Sequence, residues 1–274
     1  MKVTIITVSY NNRDTIEKTI ESVARQRYEN LEYIIVDGNS TDGTNSLLKK
    51  YDEKVSRWVS EPDEGIYDAM NKGLEMAEGE LIGFLHADDF YASPDVIPDV
   101  VEMIQTMEAD ACYADLEYVQ RNDAGTVVRT WNSGRYKSGE FLNGWMLPHP
   151  TLFVKKEIYD RYGGFNTNLG TAADYELMLR FIHKYEIKLA YLPEKIIKMR
   201  MGGESNASIV NRLKANLNDR KAWRVNGLKP KPWTLWMKPL RKIRLDLQQK
   251  NGQLVKGDYA ACLRFRFCSA CTGL

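Results

Sequence analysis

The chain contains three apolar segments that each end in a cluster of polar residues. These segments are KVTIITVSY at 2–10, LEYIIVDG at 31–38 and ELIGFLHADD at 80–89. Helical patterns lie between them, from Asn12 to about Arg27 and from about Gly65 to Ala77. Strands that are apolar on both faces and alternate with single helices are typical of a parallel sheet covered on both sides. The pattern therefore predicts an α/β fold.

The polar clusters are expected to lie close together. In open sheets of parallel strands, ligands bind beyond the carboxyl ends of the strands. The clusters SYNN, DGNSTDG and HADD all occupy that position. The sequence therefore predicts a binding site at this edge of the sheet.

The second half of the chain has a different pattern. Residues 111–120 and 126–132 are two strand-like segments joined by a turn, which predicts a hairpin that extends the sheet. LPHPTLFVKK at 147–156 predicts another extended segment. TAADYELMLRFIHKY at 171–185 is strongly amphipathic and predicts a helix.

Composition and absent motifs exclude several classes of protein. Hydrophobic residues make up 43% of the 274 and charged residues 27%, which is ordinary for a globular protein. No segment approaches the roughly 20 apolar residues that span a bilayer, and the N-terminus has no signal-peptide pattern, so we expect a cytoplasmic protein. G-x-G-x-x-G and G-x-x-x-x-G-K-[ST] are both absent. A bound nucleotide would need a metal in place of a glycine-rich phosphate loop.

HADD, at residues 86–89, can supply that metal site. Carboxylate oxygens suit hard cations such as Mg²⁺ and Mn²⁺, which bridge phosphate groups and neutralise a departing diphosphate. Acids are also common at strand ends, where Asp88 and Asp89 would only cap a turn. Their position at the carboxyl edge of the predicted sheet favours metal binding.

Asp37, Asp68 and Asn71 each have a functional and a structural interpretation. Asp37 ends the second strand, where its carboxylate can accept an N–H from a base edge or form a turn. Asp68 lies on a predicted helix with Asn71 one turn on, so both a ligand-facing role and a solvated helix face remain open.

Asp174 lies near the N-terminal end of the amphipathic helix, where the helix dipole favours its anionic form. It can stabilise that helix end, or act as a general base that takes a proton from an attacking hydroxyl. His149 lies between two prolines and can line a pocket or be structural. His149 and Asp115 are the candidates for the acceptor side of the site.

Taken in order, these segments resemble the family 2 glycosyltransferases of the GT-A fold. The resemblance is carried by TIITVSYNNRDTIEKTIESVARQ, EYIIVDGNSTDGT, SEPDEGIYDAMNKGLEMAEGELIGFLHADD and HPTLFVKKEIYDRYGGF followed by AADYELMLR, over roughly residues 1–200. The most similar members are bacterial enzymes that build O-antigen, colanic-acid or capsule repeat units. The resemblance implies a Rossmann-like nucleotide-sugar-binding fold, with a mostly parallel mixed sheet flanked by helices.

The resemblance also implies an inverting hexosyltransferase that uses Mn²⁺ or Mg²⁺. The expected donor is a UDP-hexose, and the expected acceptor is a saccharide linked to polyprenyl diphosphate in cell-surface polysaccharide synthesis. Asp88 matches the metal-binding acid of the family's D-x-D motif, and Asp174 matches the catalytic base. The residues implied at the nucleotide and donor are Thr7, Tyr10, Asp37, Asp68, Asn71, His86, Ala87 and Asp89.

Two positions depart from the family pattern. His86 stands in place of the first acid of D-x-D, and Ala173 stands where many relatives have an acid before the base. The first departure bears on metal affinity and the second on contacts to the acceptor.

Charge divides the chain into an acidic body and a basic C-terminal region. Residues 1–208 carry 23 Lys and Arg against 34 Asp and Glu, whereas residues 209–274 carry 15 against 3. We therefore expect a GT-A catalytic domain at 1–206, with its nucleotide-sugar half at about 1–110 and its acceptor half at about 111–206. Residues 207–274 are expected to form a basic, amphipathic helical extension.

The basic extension is expected to bind an anionic membrane surface, which would make the protein peripheral on the cytoplasmic face of the inner membrane. Trp233 and Trp236 suit a membrane interface, and Leu240, Ile243 and Leu247 follow helical spacing. Packing back onto the domain, or a homodimer contact, is the alternative. The extension has no nucleic-acid reading motif, and its cysteines (Cys262, Cys268, Cys271) form an incomplete zinc ligand set.

Two other functions fit parts of the pattern. A non-catalytic protein that binds sugar nucleotides or glycans could keep the same fold. A nucleotidyltransferase is disfavoured because the N-terminal loop lacks a glycine-rich, basic phosphate clamp.

Overall fold

A computed structural model describes residues 1–202 and 218–237 of the chain. Strands and helices alternate through its first half, as predicted. The strands are β1 (Val3–Ser9), β2 (Leu31–Asp37), β3 (Arg57–Ser60), β4 (Leu81–Phe84), β5 (Phe90–Tyr91), β6 (Ala111–Val119), β7 (Val127–Trp131), β8 (Phe153–Lys155) and β9 (Leu189–Arg200). The helices are α1 (Arg13–Ala24), α2 (Thr44–Lys50), α3 (Ile66–Met76), α4 (Val96–Met107), α5 (Lys156–Tyr162) and α6 (Ala173–Met178).

The strands form one mixed sheet in the order β3-β2-β1-β4-β8-β6-β9-β5, with β7 paired to β6. The pairs β3-β2, β2-β1 and β1-β4 are parallel, and so is the pair β6-β9. β8 runs antiparallel between β4 and β6. The predicted mixed sheet is confirmed, with four parallel and four antiparallel strand pairs among the described residues.

Helices cover both faces of the sheet because the central strands are apolar on both sides. Alternate residues of β1 enter opposite hydrophobic clusters, with Ile5 on one face and Ile6 on the other. Helices α1, α2 and α4 pack on the face of Ile5, whereas α3, α5 and α6 pack on the face of Ile6. All seven residues of β1 are buried as a result.

Helix α3 lies directly on the sheet because Gly73 has no side chain. A Cβ at Gly73 would approach Cγ2 of Ile6 to 2.4 Å, which is closer than real atoms come. This close approach sets the height of α3 above β1 and β2, and with it the position of Asp68 and Asn71.

The second half confirms the predicted hairpin and changes two other predictions. β6 and β7 pair antiparallel, as expected for residues 111–132. The segment expected to be extended around His149 is a 3₁₀ turn, His149–Thr151, followed by the short strand β8. The expected single helix at 171–185 has three parts. They are a 3₁₀ segment (Thr167–Ala172), α6 and a π-helical segment (Leu179–Lys184).

Part of the basic extension packs onto the acidic body of the chain. Within the helical residues 218–225, Trp223 is buried and its indole nitrogen donates to the Tyr175 hydroxyl at 3.1 Å. Further on, Leu235 is buried, and the hydroxyl of Thr234 donates to the carbonyl of Leu142 at 2.6 Å. Residues 218–237 therefore share the core of the first 202 residues.

The remaining predictions for the extension, on Leu240, Ile243, Leu247 and the three C-terminal cysteines, lie outside the described residues. Over residues 1–202 and 218–237, none of the helices has the length and apolar character that crossing a bilayer requires.

Candidate active site

The loops after β1 and β2 form a hydrogen-bonded rim at the carboxyl edge of the sheet. The two strands end together, with Ser9 opposite Asp37. The backbone N–H of Asn11 donates to the Ser40 hydroxyl at 2.8 Å, and the Asn11 side chain accepts from the N–H of Thr41 at 2.9 Å. Polar residues at strand ends thus hold the two loops against each other, which keeps this edge rigid.

Asp37 holds the second of these loops. Its side chain is fully buried, and one carboxylate oxygen accepts from the Ser40 hydroxyl at 2.5 Å. The other oxygen accepts from the Ser40 N–H at 2.9 Å and from the Ser60 hydroxyl at 2.7 Å. Both oxygens therefore have partners within the chain, where the family resemblance implied a contact to the nucleobase.

Thr7 and Tyr10, the other residues implied at the nucleoside, point in different directions. Thr7 is fully buried, and its hydroxyl is 3.0 Å from the hydroxyl of Tyr33 inside the fold. The Tyr10 side chain is 66% exposed at the rim and can stack on a base. Of these two side chains, only that of Tyr10 is accessible to a nucleoside.

Asp68 and Asn71 make contacts that shape the site from helix α3. The Asp68 carboxylate accepts from the N–H of Glu64 at 3.1 Å and faces Lys72 at 3.5 Å. The Asn71 amide binds both backbone groups of Phe165, donating at 2.9 Å and accepting at 2.8 Å. Asn71 therefore anchors the loop that leads to helix α6.

The HADD segment is a tight turn after β4, held from two sides. The N–H of Asp89 donates to the carbonyl of His86 at 2.9 Å, which closes the turn. The Thr19 hydroxyl of α1 lies 3.0 Å from the carbonyl of Ala87 and 2.7 Å from that of Asp89. From the end of β9, the Arg200 guanidinium donates to the carbonyl of Asp88 at 2.6 Å. The backbone of the turn is thus fixed before any ligand binds.

The two aspartates of this turn differ in exposure. Asp88 is half-buried, and burial raises its pKa while the positive charges of Arg121 and Arg200 lower it. Asp89 is fully buried, and burial together with the neighbouring Asp88 raises its pKa well above the usual range. Among the described residues, neither carboxylate oxygen of Asp89 has a hydrogen-bond partner.

This pair of carboxylates fits a divalent metal that is shared with a ligand. No group of three or more His, Cys, Asp or Glu within the described part of the chain could hold an ion by itself. Mg²⁺ and similar ions are commonly held by one or two carboxylates together with substrate phosphates and water, so a complete protein cage is not required. The unpartnered oxygens of Asp89 beside the half-buried Asp88 are the hard-oxygen donors that such ions prefer.

Positive charge surrounds the same turn, which sequence reasoning missed. The Lys18 ammonium lies 4.0 Å from the centre of the Phe90 ring, and the Arg200 guanidinium lies 5.2 Å from it. Arg200 also lowers the pKa of Asp88, so its charge reaches the carboxylates of the turn. Arg200 lies 111 positions beyond Asp89 and in a strand that was not predicted, so no local signal connected them.

Asp174 occupies the first turn of α6, as expected. One oxygen accepts from the N–H of Tyr175 at 2.7 Å, and the other lies 3.2 Å from Nδ1 of His149. Tyr67 of α3 interacts with the same carboxylate. Burial raises the pKa of the Tyr67 phenol, and the negative charge of Asp174 raises it further. The Asp174 side chain is 12% exposed, so it keeps a small opening to the site.

A pair of histidines joins Asp174 to the HADD turn. Nε2 of His86 lies 3.0 Å from Nε2 of His149, whose Nδ1 faces Asp174. Burial and the adjacent His149 lower the pKa of His86 to about 3, so His86 is neutral at physiological pH. The predicted metal end and the predicted base of the site therefore meet, although 85 residues separate Asp88 from Asp174.

Asp115, the other acceptor-side candidate, is engaged within the fold. It is buried on β6 and accepts from the N–H of Ser133 at 2.7 Å. The Tyr191 hydroxyl lies 3.0 Å from each of its oxygens. Burial raises the pKa of Asp115 despite these donors. In this structure Asp115 links β6 to β9 and to the segment after β7.

Comparison with known sequences identifies the family. The pattern of the family described as Glycosyl transferase family 2 matches residues 4–163, which is more than half of the chain. The chain belongs to this family. The predicted glycosyltransferase activity is thereby confirmed, and the HADD turn lies within the matched residues.

Two relatives illustrate the range of similarity. An uncharacterised glycosyltransferase of Mycobacterium tuberculosis is 32% identical over an alignment of 194 residues. The alignment covers 65% of this chain and 68% of the relative. TuaG, a Bacillus subtilis glycosyltransferase named for teichuronic acid biosynthesis, is 46% identical over 90 residues, or 32% of this chain and 36% of that protein.

Solved structures confirm the GT-A fold. Staphylococcus aureus TarS residues 1–349, in complex with UDP-GlcNAc, superposes with a TM-score of 0.65 at 21% identity, covering 80% of this chain and 65% of that one. The mannosyltransferase PcManGT of Pyrobaculum calidifontis, in complex with GDP-Man and Mn²⁺, superposes with a TM-score of 0.63 at 22% identity, covering 92% and 76%.

Proposed function

We propose that this glycosyltransferase is inverting and metal-dependent, and that it moves a hexose from a nucleotide donor to a saccharide acceptor. The observation that carries the proposal is the contact chain from the HADD turn through His86 and His149 to Asp174. It supports a site in which the donor diphosphate binds at one end and the acceptor hydroxyl is deprotonated at the other.

The chemistry assigned to the chain needs one base and no protein nucleophile. The Asp174 carboxylate would take the proton of the acceptor hydroxyl while that oxygen forms a bond to the anomeric carbon. The bond from the anomeric carbon to the diphosphate oxygen breaks in the same displacement, and the diphosphate leaves with its electron pair. A single displacement inverts the anomeric configuration.

Asp88, with Asp89 beside it, would hold Mn²⁺ or Mg²⁺. A bound divalent ion supplies a positive charge that stabilises the leaving diphosphate. Arg200 and Lys18, on either side of the turn, bring further positive charge to the same place. The orphaned oxygens of Asp89 support this assignment.

The donor is proposed to be a UDP-hexose. The exposed Tyr10 would stack on the base, and the loop that Asp37 organises would form the floor of the nucleoside pocket. The solved structures with UDP-GlcNAc and GDP-Man show that both nucleotides occur on this fold, so a donor panel must include both.

The acceptor is proposed to be a saccharide on polyprenyl diphosphate, used for cell-surface polysaccharide on the cytoplasmic face of the inner membrane. Trp233 and Trp236 are 50% and 65% exposed, and the Lys231 ammonium lies 5.4 Å from the centre of the Trp233 ring. Exposed tryptophans beside lysines suit the interface of an anionic bilayer.

Binding to anionic vesicles tests this assignment. We expect the unmutated protein to bind such vesicles and the double variant Trp233→Ala with Trp236→Ala to lose that binding. If the unmutated protein instead sediments as a dimer and the double variant as a monomer, these residues belong to a homodimer contact.

The decisive experiment combines donor turnover with donor binding. The protein is mixed with Mn²⁺, a lipid-diphosphate saccharide and a panel of UDP- and GDP-sugars, and release of nucleoside diphosphate is measured. Asp174→Asn is expected to lower kcat roughly 10³-fold while donor affinity stays unchanged. Asp160→Asn, the same change at an exposed acid of α5, is the matched control.

Two outcomes would overturn the proposal. Binding of a nucleotide sugar without turnover by the unmutated protein, across the whole panel, would favour a non-catalytic binding protein. Retention of the anomeric configuration in the product would exclude the single displacement.

A further inference from the structure

Three side chains form a continuous chain of contacts from the HADD turn to the N-terminus of α6. Nε2 of His86 is 3.0 Å from Nε2 of His149, and Nδ1 of His149 is 3.2 Å from Oδ2 of Asp174. The residues come from three separate parts of the fold. They follow β4, begin the 3₁₀ turn before β8 and open α6. The contact between the two histidines is a hydrogen bond, and the contact between His149 and Asp174 lies at the distance of one.

The positions of the protons follow from one buried atom. Nδ1 of His86 is buried and has no hydrogen-bond partner in residues 1–202 or 218–237. A proton on that atom would leave a buried donor unsatisfied, which is costly, so the proton of the His86 ring belongs on Nε2, where it meets His149. Nε2 of His149 must then be the acceptor. A neutral His149 carries its own proton on Nδ1, where it faces Asp174.

On this basis we infer that His149 is a positioning residue for Asp174, and that His86 fixes the tautomer in which His149 donates to it. Both donor nitrogens of the chain, Nε2 of His86 and Nδ1 of His149, then point toward the carboxylate. Fixing a base through the second nitrogen of an imidazole restricts the orientation of its oxygens toward the attacking hydroxyl. The inference rests on the proposed role of Asp174 as the base.

This arrangement explains a histidine in place of an acid at position 86. A carboxylate there could only accept a hydrogen bond from His149. It could not donate to Nε2 of His149, so the direction of the chain would be lost. His86, with a single proton on Nε2, donates to His149 and leaves the proton of His149 for Asp174.

The first test reads the tautomers directly and needs no activity. The chain contains three histidines, so a ¹⁵N-histidine NMR spectrum has three imidazole patterns. His183, which packs between the rings of Phe141 and Trp223, is the internal reference. We expect His86 with its proton on Nε2 and His149 with its proton on Nδ1 at pH 7. A charged His149, or one protonated only on Nε2, would overturn the inference.

Variants of His86 test the direction of the chain in the same spectrum. His86→Gln places an amide donor near the position of Nε2, and we expect His149 to keep its proton on Nδ1. His86→Leu removes the donor, and we expect His149 to become a mixture of tautomers. An unchanged His149 pattern in His86→Leu would show that His86 does not set the tautomer.

The second test uses the pH dependence of transfer. The groups that act on Asp174 include His149, Tyr67 and the N–H of Tyr175, and the more distant His86 also interacts with its charge. Removing a donor destabilises the carboxylate form, so His149→Ala should lower kcat about tenfold and move the acidic limb of the kcat profile upward by about one pH unit. His149→Asn keeps an amide donor near the position of Nδ1. It should therefore restore most of kcat and return the acidic limb close to its original pH. A purely structural His149 would lower kcat without moving the limb, and Asn would rescue no better than Ala.

The two tests separate this inference from the proposed function. If no donor is turned over by the unmutated protein, the proposed function fails, while the tautomers of His149 and His86 remain measurable. If turnover is found but the tautomers are reversed, the positioning inference alone fails.

Discussion

Strand β2 ends in a fully buried aspartate and the turn after β4 contains another, yet the chain treats the two side chains differently. Asp37, at the end of β2, accepts three hydrogen bonds from Ser40 and Ser60. Neither oxygen of Asp89, in the turn after β4, has a hydrogen-bond partner among the described residues, and the pKa of Asp89 stays raised although the backbone N–H and the charge of Arg200 lower it. A buried carboxylate is costly unless it is paired or hydrogen-bonded. The contrast assigns Asp37 to the scaffold and marks the β4 loop as the place where an external cation is expected.

The same contrast separates Asp115 from Asp174 in the other half of the sheet. Asp115 is buried among donors from Ser133 and Tyr191. Asp174 is held by His149 at one oxygen and keeps a small opening to solvent. In each half, one acid stabilises the fold and another faces the site.

The largest effect is expected on the β4 side, from Asp88→Asn. Loss of the accessible carboxylate should weaken Mn²⁺ binding and lower kcat about 10³-fold, because charge on the departing diphosphate loses its counterion. Calorimetric titration with Mn²⁺ and UDP measures the binding, and release of nucleoside diphosphate measures the rate. Asp160→Asn, at an exposed acid of α5, should change neither quantity. Undiminished Mn²⁺ affinity in Asp88→Asn would move the metal away from this turn.

A smaller effect, on stability, is expected on the β2 side. Asp37→Asn removes the charge that Ser40 and Ser60 stabilise, and should lower the free energy of unfolding by about 2 kcal/mol. Ser60→Ala removes one of the three hydrogen bonds and should cost about 1 kcal/mol. Urea unfolding measures both variants. If Asp37→Asn folds with unchanged stability but no longer binds donor, Asp37 contacts the ligand and the comparison between the two loops is wrong.

The elements from β1 to β4 could be predicted because their signals are local. β1 and β2 are apolar on both faces and end in polar clusters, which is sufficient to place them at the centre of a parallel sheet. β9 was not predicted, since it contains Pro193 and several charged residues and its place comes from pairing with the distant β6. Helix α4 was also missed, because Pro98 in its first turn obscures the helical pattern.

For the site, residue type and strand position were enough to favour Asp88, whereas Asp174 was selected by the family resemblance. The partners of each acid could not be predicted, because they come from remote parts of the chain. Nothing near Asp37 distinguishes it from Asp89 until the hydroxyls of Ser40 and Ser60 are placed. Likewise, only the fold brings the 3₁₀ turn at His149 against both α6 and the HADD turn.

The smallest effect is a gain in stability from Asp89→Asn in the metal-free protein. Burial and Asp88 raise the pKa of Asp89, so the folded state binds this proton more tightly than the unfolded state. The resulting stabilisation is present at low pH and is lost as the pH rises from about 4 through the raised pKa. Asparagine does not titrate, so the variant should depend less on pH and should be about 1 kcal/mol more stable at pH 8.

Urea unfolding with EDTA at pH 5 and pH 8 measures this difference. Asp37→Asn is the matched control, because Asp37 is also buried but accepts three hydrogen bonds from Ser40 and Ser60, and its replacement should destabilise the fold. Adding Mn²⁺ should stabilise the unmutated protein more than Asp89→Asn, since binding to the folded state alone raises stability. If metal-free Asp89→Asn is the less stable protein at pH 8, Asp89 has an internal partner and the two loops do not differ.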